Sequence, residues 1–524
     1  MPPRSFHILL ALFGTFRVGR VASQGVVTAR ERAPQIFNAI HNAMRQWGSS
    51  VHHNGMSLFP VRVPVGNLFY HGTILAERRK GGPEWLSFEP EHAAGFSRSW
   101  EADEPRPWQD TYRSTLLRTG SQRVFDTATG PPRIPPGRAV RGHFHTYAAN
   151  RSLRLIYIDG MSAGNSEFGS MDTQDLVLID GFDGDTLDDW ERASKICSFA
   201  QSAGADGMIR MEAGFEVVYC DFEDGLDIVS INGSPFKNET TGQRNARTVS
   251  GTFEWMRASA ERYEGFEPGR FQVDWSGMVS ALWHSDINIT NPDPLRPDLP
   301  RLSGNPQQSL RPMANRFHEV LKSRQEFETV HWQAVTDRID AMFGPRLEAM
   351  ARSSANATTI RHQVDSLLDR FTDFSLHNGD QEGGEIVDAC ASRHLRLPLV
   401  SETRWTPEDM LIFNALDVVA RRICSDLFRL RKMLDPPTED ARGAAKELVK
   451  NLIDWLDWAR WRRCDDKCEH DNKLCFIAMF PFGTAEDHFT PRCKSAEEIA
   501  QSYGYFFDWS SVKGLHNAIV VINP

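Results

Sequence analysis

A histidine beside a glycine, at the end of an apolar run, is the feature of this sequence best suited to chemistry. Leu68 to Tyr70 lead directly into His71, Gly72 and Thr73. Such a pair lets an imidazole and an open stretch of backbone face the same ligand, because glycine has no side chain to block a close approach. The same residues also fit a structural turn, in which Gly72 supplies backbone freedom and His71 only packs. The sequence therefore offers His71 as a candidate binding residue with two interpretations.

The elements around His71 can be predicted from the residues that follow it. A polar loop covers residues 77–83, and Trp85 to Phe88 form a second apolar run. Pro90 fits the first position of a helix, and Glu91 suits the positive end of the helix dipole. We therefore expect a strand, a loop, a second strand and a helix, with the histidine at the end of the first strand.

This order resembles the first motif of the histidine-containing ADP-ribosyltransferases. In that family a strand ending in His-Gly holds nicotinamide dinucleotide, and a second strand and an alanine-rich helix follow. The resemblance implies NAD as the cofactor, with His71 orienting the ribose. It implies contacts to the cofactor from Gly72, from Thr73 and from Phe88 on the second strand, where the family has a tyrosine.

The family also has a polar residue on a later strand that completes the catalytic site. The resemblance places this position at Gln174 or Asp175, which precede a run, 176–180, predicted to be a strand. His71, Gln174 and Asp175 are thus the implied catalytic residues.

Three other clusters of residues could form a metal or catalytic site, and each also fits a purely structural role. His143 and His145 share one face of an extended segment, as a metal pair would, but no third ligand has a recognisable spacing, so we predict no metal site. Aspartates between residues 180 and 189 suit calcium or the start of a helix, and the helix start is favoured. Acids that could form the pair of a hydrolase are Glu89, Glu91, Glu212, Glu216, Asp221 and Glu223.

The 524 residues suggest more than one domain, and apolar periodicity divides them. We predict an α+β domain over 24–235, an irregular linker or insertion over 236–312 and a mainly helical domain over 313–463. A cysteine-rich segment over 464–524 completes the chain. The aromatic residues of the insertion should be buried, so it should wrap over the first domain.

The cysteines favour an oxidising compartment, because eight is an even number and no zinc-knuckle spacing is present. We expect Cys197 to pair with Cys220, and Cys390 with Cys424. Four more lie in the tail, where disulfides are favoured over zinc and the connectivity stays open: Cys464, Cys468, Cys475 and Cys493.

Two further features point to secretion. An apolar run from Ile8 to Phe16, with small residues before Gln24, predicts a signal peptide over residues 1–23. Five tripeptides fit N-glycosylation, at Asn150, Asn232, Asn238, Asn288 and Asn356.

The acidic charge of the chain excludes one class of partner. The formal net charge is −10, and removal of the signal peptide with its three arginines makes it −13. An acidic surface repels phosphate backbones, so we expect no nucleic-acid partner. Outside the N-terminus no apolar run approaches the ~18 residues that span a bilayer.

Over most of its length the chain resembles uncharacterised secreted proteins of filamentous fungi. The resemblance is carried by LFYHG, PEWLSFEPEHAAGF, LIYIDGMSAG, MDTQDLVLIDG and CFIAMFPFGTAEDHF. It implies a fungal, extracellular setting and no defined activity. Two function classes stay open, an enzyme resembling the ADP-ribosyltransferases and a non-catalytic protein that binds a protein or small molecule or assists specialised metabolism. An acid-pair hydrolase is a third.

Overall fold

The computed structural model describes residues 20–102, 137–166, 168–180, 189–236, 239, 249–263, 270–294, 296, 299–324, 330–375, 383–399, 402–464, 468 and 472–502. Most of the predicted signal peptide, residues 1–19, lies outside these ranges, as do Asn238 and the aspartates between 181 and 188. Within the described residues the chain is an α+β unit, then a mainly helical part, then a disulfide-bonded tail. The predicted fold class is thereby confirmed.

The N-terminal part is built on one large sheet. Ten strands form it, at β1 Asn54–Val63, β2 Leu68–Thr73, β3 Glu84–Ser87, β4 His143–Ala149, β5 Leu153–Gly160, β6 Gly207–Glu212, β7 Gly214–Tyr219, β8 Leu226–Gly233, β9 Gln272–Val273 and β10 Val279–Ser280. Their order across the sheet is β10-β1-β5-β6-β7-β3-β2-β4-β8, with β9 also paired to β1. β5 and β6 run parallel and the other pairs are antiparallel.

Six helices pack around the sheet. They are α1 Arg20–Glu31, α2 Ala33–Asn42, α3 Gln46–Val51, α4 Pro90–Ala94, α5 Asp189–Ser202 and α6 Val249–Arg262. α5 lies on one face, where Trp190 meets Trp85 of β3 edge to face, with ring centroids 4.6 Å apart. On the other face, the backbone N–H of Met44, between α2 and α3, donates to the hydroxyl of Tyr157 on β5 at 3.0 Å. Both faces are therefore covered.

The run from residue 176 to 180 is not the strand that its apolar residues predicted. Thr173–Leu178 form one turn of π-helix, in which Val177 and Leu178 are buried. The neighbouring positions on both sides of β5 are already taken by β1 and β6. A short apolar run fits a buried helical turn as well as a buried strand, and tertiary context decides between them.

The segment 236–312 takes part in the sheet and its covering layer. It supplies α6 and the short strands β9 and β10, both of which pair with β1. The five aromatic residues that were expected to need burial are buried: Phe253, Trp255, Phe271, Trp275 and Trp283.

The second part of the chain is helical. Its helices are α7 Gln307–Ser323, α8 Trp332–Ala351, α9 Ala357–Leu368, α10 Gly383–Leu399, α11 Pro407–Met433 and α12 Glu439–Leu456. The start of α11 follows the sequence closely, because Thr406 and Asp409 form a reciprocal capping box with proline at the first turn. Within the described residues no helix is both long and apolar enough to cross a membrane.

The tail is short and tied by disulfides. It contains β11 Lys473–Phe476, α13 Ala485–Phe489, β12 Arg492–Ser495 and α14 Ala496–Ala500. Its two bonds join Cys464 to Cys475 and Cys468 to Cys493. Elsewhere Cys197 is bonded to Cys220, and Cys390 to Cys424, the two pairs expected from the sequence. All eight cysteines are paired.

Candidate functional site

A group of buried charges lies at the hairpin of β6 and β7. Gly214, with a φ of 90°, makes the tight turn between the two strands. Arg210 is directly opposite Glu216, and Glu212 is two residues beyond Arg210 on β6. Because side chains alternate along a strand, these three point to the same face of the sheet. All three are at least nine-tenths buried.

His92 completes this group from the helix side. The ring Nε2 of His92, on α4, is 2.5 Å from Oε1 of Glu212. The ring stacks on Trp255 of α6, with centroids 5.0 Å apart, and its Nδ1 has no hydrogen-bond partner. Burial alone would lower the pKa of His92, but the carboxylates of Glu212 and Glu216 outweigh burial and raise that pKa.

Glu216 is the most perturbed acid of the group. Its Oε1 accepts from Nε of Arg210 at 2.7 Å. Burial nevertheless raises the pKa of Glu216 to about 7, against the opposing effect of the Arg210 guanidinium. A carboxyl that titrates near neutral pH can hold or release a proton under physiological conditions.

Gln174 and Asp175 belong to this buried cluster and not to the surroundings of His71. Nη1 of Arg210 donates to Oε1 of Gln174 at 3.0 Å, and Nε2 of Gln174 donates to Asp175 at 2.8 Å. Asp175 in turn accepts from Nε of Arg192 at 2.9 Å. The cluster is thus a chain of hydrogen-bonded charges that links the π-helix, α5 and the hairpin.

Strand register separates His71 from that chain. Tyr70 is opposite Ser87, and Ser87 is opposite Glu216, so Tyr70 shares the face that carries Arg210. His71, the next residue along β2, points to the other face. The structure therefore does not bring His71 together with Gln174 and Asp175.

His71 is packed inside the protein. Its Nδ1–H donates to the carbonyl of Trp85 at 2.7 Å, and its ring lies 5.7 Å from that of His145 and 5.6 Å from that of Phe222. Burial lowers the pKa of His71 to about 4, so the ring is neutral at physiological pH.

The residues expected beside the cofactor are equally enclosed. A Cβ on Gly72 would lie 2.2 Å from the carbonyl oxygen of Ala93, so this glycine allows α4 to approach the strand. Phe88 is buried between Phe69 and Phe271. Thr73 is buried and accepts a hydrogen bond from the backbone of Leu75.

His145 is a core histidine with both ring nitrogens bonded. A carbonyl can only accept, so the Nε2–H donates to Leu75 at 2.8 Å, and Nδ1 accepts from the hydroxyl of Tyr147 at 3.0 Å. Neither His145 nor His143 belongs to a cluster of metal-ligating side chains within the described residues.

Two such clusters exist in the described part of the chain. Cys464, Cys468 and Cys475 form one, but their sulfurs are consumed by disulfides. His92, Glu212 and Glu216 form the other, with one ligand atom from each lying within 4.8 Å of the others. A histidine and two carboxylates are ligands that zinc accepts, although Arg210 competes for Glu216.

Sequence reasoning named Glu212 and Glu216 only among six acids, and it missed His92. The alternation across the Gly214 turn could have placed both glutamates on one face. No local signal connects His92 with residues 120 positions away, because helix packing alone brings them together.

Asp159, at the end of β5, is a separate buried acid whose effect on stability should depend on pH. Burial raises the pKa of Asp159 to about 7, although its Oδ1 accepts from the backbone N–H of Ser57 at 2.8 Å. In the unfolded chain the carboxyl titrates near 4, so between about pH 4 and 7 only the folded protein keeps the proton. Stability from this group is therefore present at low pH and is lost as the pH rises towards 7.

We expect Asp159→Asn, which cannot titrate, to lack this dependence. Relative to the variant, the wild type should lose up to about 1.4 kcal/mol of unfolding free energy per pH unit between pH 5 and 6.5. Urea denaturation of both proteins across that range measures the difference. A difference that stays constant with pH would contradict the raised pKa.

The fold and the buried cluster define a mixed-sheet α+β protein joined to a helical part, with four disulfides. Residues 28–123 and 118–255 match the family model of the YPL277C N-terminal domain. The chain is 25% identical to the uncharacterized protein YOR389W of Saccharomyces cerevisiae, over 87% of this chain and 83% of that one. It is 32% identical to the uncharacterized protein YPL277C of the same yeast, over 38% and 43%. No solved structure matches.

These similarities support kinship with an uncharacterised protein family. The family match runs from the last turn of α1 to the middle of α6 and so leaves out β9 and β10. The names of these relatives describe no activity, so the function has to be argued from the residues.

Proposed function

We propose that the chain is a secreted, N-glycosylated protein that acts by binding and not by catalysis at His71. The observation that carries the secreted setting is the pairing of all eight cysteines in four disulfides, and the burial of His71 is what disfavours catalysis there. Disulfides form and persist in the secretory pathway and outside the cell, and cytosolic reductants remove them. The acidic charge and the predicted signal peptide agree with this setting.

The glycosylation tripeptides support the same proposal. Asn150, Asn232, Asn288 and Asn356, the four that lie within the described residues, are all exposed. Glycans are bulky and need surface asparagines, so the exposure of these four positions is compatible with their attachment.

Expression of the full-length chain in yeast tests the proposal. We expect the protein in the culture medium, with eight oxidised cysteines by mass spectrometry and a gel mobility that increases after endoglycosidase treatment. Asn→Gln variants of the sequons should each remove one step of that shift, whereas Asn414→Gln, outside any sequon, should leave it unchanged. An unglycosylated protein with reduced thiols in the cytosol would overturn the proposal.

NAD binding at His71 is a second candidate, and the sequence order of β2, β3 and α4 favours it. The enclosure of His71, Gly72 and Phe88 disfavours it, because a dinucleotide needs open surface at these residues. We therefore rank it below the binding protein.

A thermal unfolding experiment separates the two candidates. We expect millimolar NAD to leave the wild-type midpoint unchanged, because a ligand raises it only by binding the folded state. His71→Ala should lower the midpoint, with a cost of about 2–3 kcal/mol for an emptied core position and a lost hydrogen bond. His362→Ala, at an exposed helical position, should cost little. An NAD-dependent rise that disappears in His71→Ala would reverse the ranking.

An acid-pair hydrolase is the third candidate, and the convergence of Glu212 and Glu216 favours it. Two nearby carboxyls with different environments can divide acid and base roles. Hydrolysis of oligosaccharides or esters by the wild type, abolished in Glu216→Gln and retained in Glu223→Gln, would move this candidate to first place. Glu223 was also a candidate from the sequence, but it is exposed and lies outside the cluster of Glu212 and Glu216, so it serves as the control.

A further inference from the structure

Helices α8 and α10 line an open pocket of about 420 Å³ on the helical part of the chain. Arg338, Ala341 and Met342 line it from α8, at positions that share one helix face. Arg393 and His394 line it from α10. We call these five residues the arginine pocket. Its volume is within the range of pockets that hold small organic ligands.

The two guanidinium groups of the arginine pocket have no carboxylate partner in the described part of the chain. Arg338 and Arg393 are exposed, and the contact found for Arg393 is with the ring of Phe371, 5.6 Å away. Acids next to Arg338 in the sequence are engaged elsewhere, Asp337 with Arg45 and Asp340 with Arg460. Two cations at one opening attract an anion and supply donors for it.

Two arginines elsewhere in the helical part show the contrast. Arg421 on α11 contacts both Asp388 of α10 and Asp417 of its own helix. Arg346, two turns along α8 from Arg338, donates to Gln363 at 2.7 Å. Arg338 and Arg393 thus differ from these two arginines of the helical part, whose guanidinium groups already have partners.

His394 adds a polar group that is buried without a partner. The residue is more than nine-tenths buried, and its Nε2 makes no hydrogen bond. Leaving such an atom unsatisfied is unfavourable, and a hydrogen bond from a bound ligand would remove that cost. Burial, with the charges of Arg338 and Arg393, lowers the pKa of His394 to about 4, so the ring is neutral at physiological pH and can donate or accept.

The floor of the pocket is apolar. Ala341 and the half-buried Met342 present carbon and sulfur, and Phe343 packs edge to face on His394 with centroids 5.6 Å apart. Methionine adapts to irregular apolar ligands. A ligand complementary to these walls has a negative group at one end and a hydrocarbon body at the other.

We propose that the arginine pocket binds an amphiphilic carboxylate, with its head group between Arg338, Arg393 and His394 and its hydrocarbon chain against Ala341 and Met342. This goes beyond the proposed function, since it assigns a ligand class to the helical part. It does not depend on whether the chain is secreted.

Calorimetric titration of the purified, disulfide-bonded full chain tests the proposal, with decanoate as the probe. We expect one site in the wild type, with affinity at least tenfold weaker in Arg338→Gln/Arg393→Gln. Arg421→Gln, which removes an arginine paired with acids nearby, should bind as the wild type does. Decanol and decyltrimethylammonium, which lack the negative charge, should bind at least tenfold more weakly.

A second variant tests the apolar floor with both arginines intact. Ala341 is exposed, so Ala341→Phe should fold and fill the pocket, and decanoate binding should be lost. The absence of decanoate binding to the wild type would overturn the proposal. So would equal binding of decanol, equal binding of inorganic phosphate, or unchanged affinity in the double arginine variant.

Discussion

Arg210→Met should lower the free energy of unfolding by about 3–5 kcal/mol, because it leaves a buried carboxylate without its partner. Glu216 accepts from Arg210 at 2.7 Å, and both side chains are at least nine-tenths buried. Methionine retains much of the volume, so the loss reports charge more than packing. Urea denaturation at pH 8, above the pKa of about 7 that Glu216 has beside Arg210, measures the effect.

Arg151→Met is the matched control for this charge. Arg151 is also bonded to two acids, Asp206 and Asp224, but it is more than a third exposed. Solvent screens such a pair, so its loss should cost no more than about 1 kcal/mol. Arg210→Met combined with Glu216→Leu should recover most of the loss, because no buried charge is then left unpaired. Equal costs for the two arginine variants would contradict this account of the cluster.

Removal of the Cys390–Cys424 disulfide, with Cys390→Ala/Cys424→Ala, should destabilise the protein by about 3–4 kcal/mol. The bond closes a loop of 34 residues between α10 and α11, so its loss frees a long segment of the unfolded chain. The midpoint of urea denaturation measures the change. Cys390 lies one helical turn before His394 on α10, so the bond fixes α10 close to the arginine pocket. Decanoate affinity should therefore fall together with stability.

The tail disulfide between Cys464 and Cys475 supplies the comparison. It closes only 11 residues, so the chain-entropy cost of removing it is about 1 kcal/mol smaller. Cys464→Ala/Cys475→Ala should leave decanoate binding intact, because the tail does not line the arginine pocket. Equal loss of decanoate binding in the two variants would contradict a specific role of the Cys390–Cys424 bond in positioning α10.

Features that arise from local chemistry can be predicted from the sequence. Proline at the start of α4 and the Thr406 cap of α11 are set by backbone hydrogen bonds within a few residues. The strands β5, β6 and β7 follow from β-rich apolar runs. The prediction of a strand over 176–180 was wrong, because the burial of a short apolar segment does not specify its backbone conformation.

The candidate sites could be predicted only in part, because they depend on register and helix packing. The face that His71 occupies follows from pairings of β2, β3 and β7, which no local pattern encodes. His92 reaches Glu212 only after α4 packs on the sheet. Arg338 and Arg393 are 55 residues apart and meet through the packing of two helices.

The contacts of α2 set the order in which this protein can complete its fold during synthesis. Asn38, on α2, donates from its side chain to the carbonyl of Leu456, 418 residues later in the chain. Ribosomes add about 5–20 residues per second, so roughly 20–80 s separate the emergence of these two groups. Ile36, Phe37 and Ile40 of the same helix are fully buried in the finished protein. This apolar helix is therefore synthesised long before the end of α12, which it contacts in the folded protein. A chaperone that shields the helix during that interval would raise the yield of folded chain.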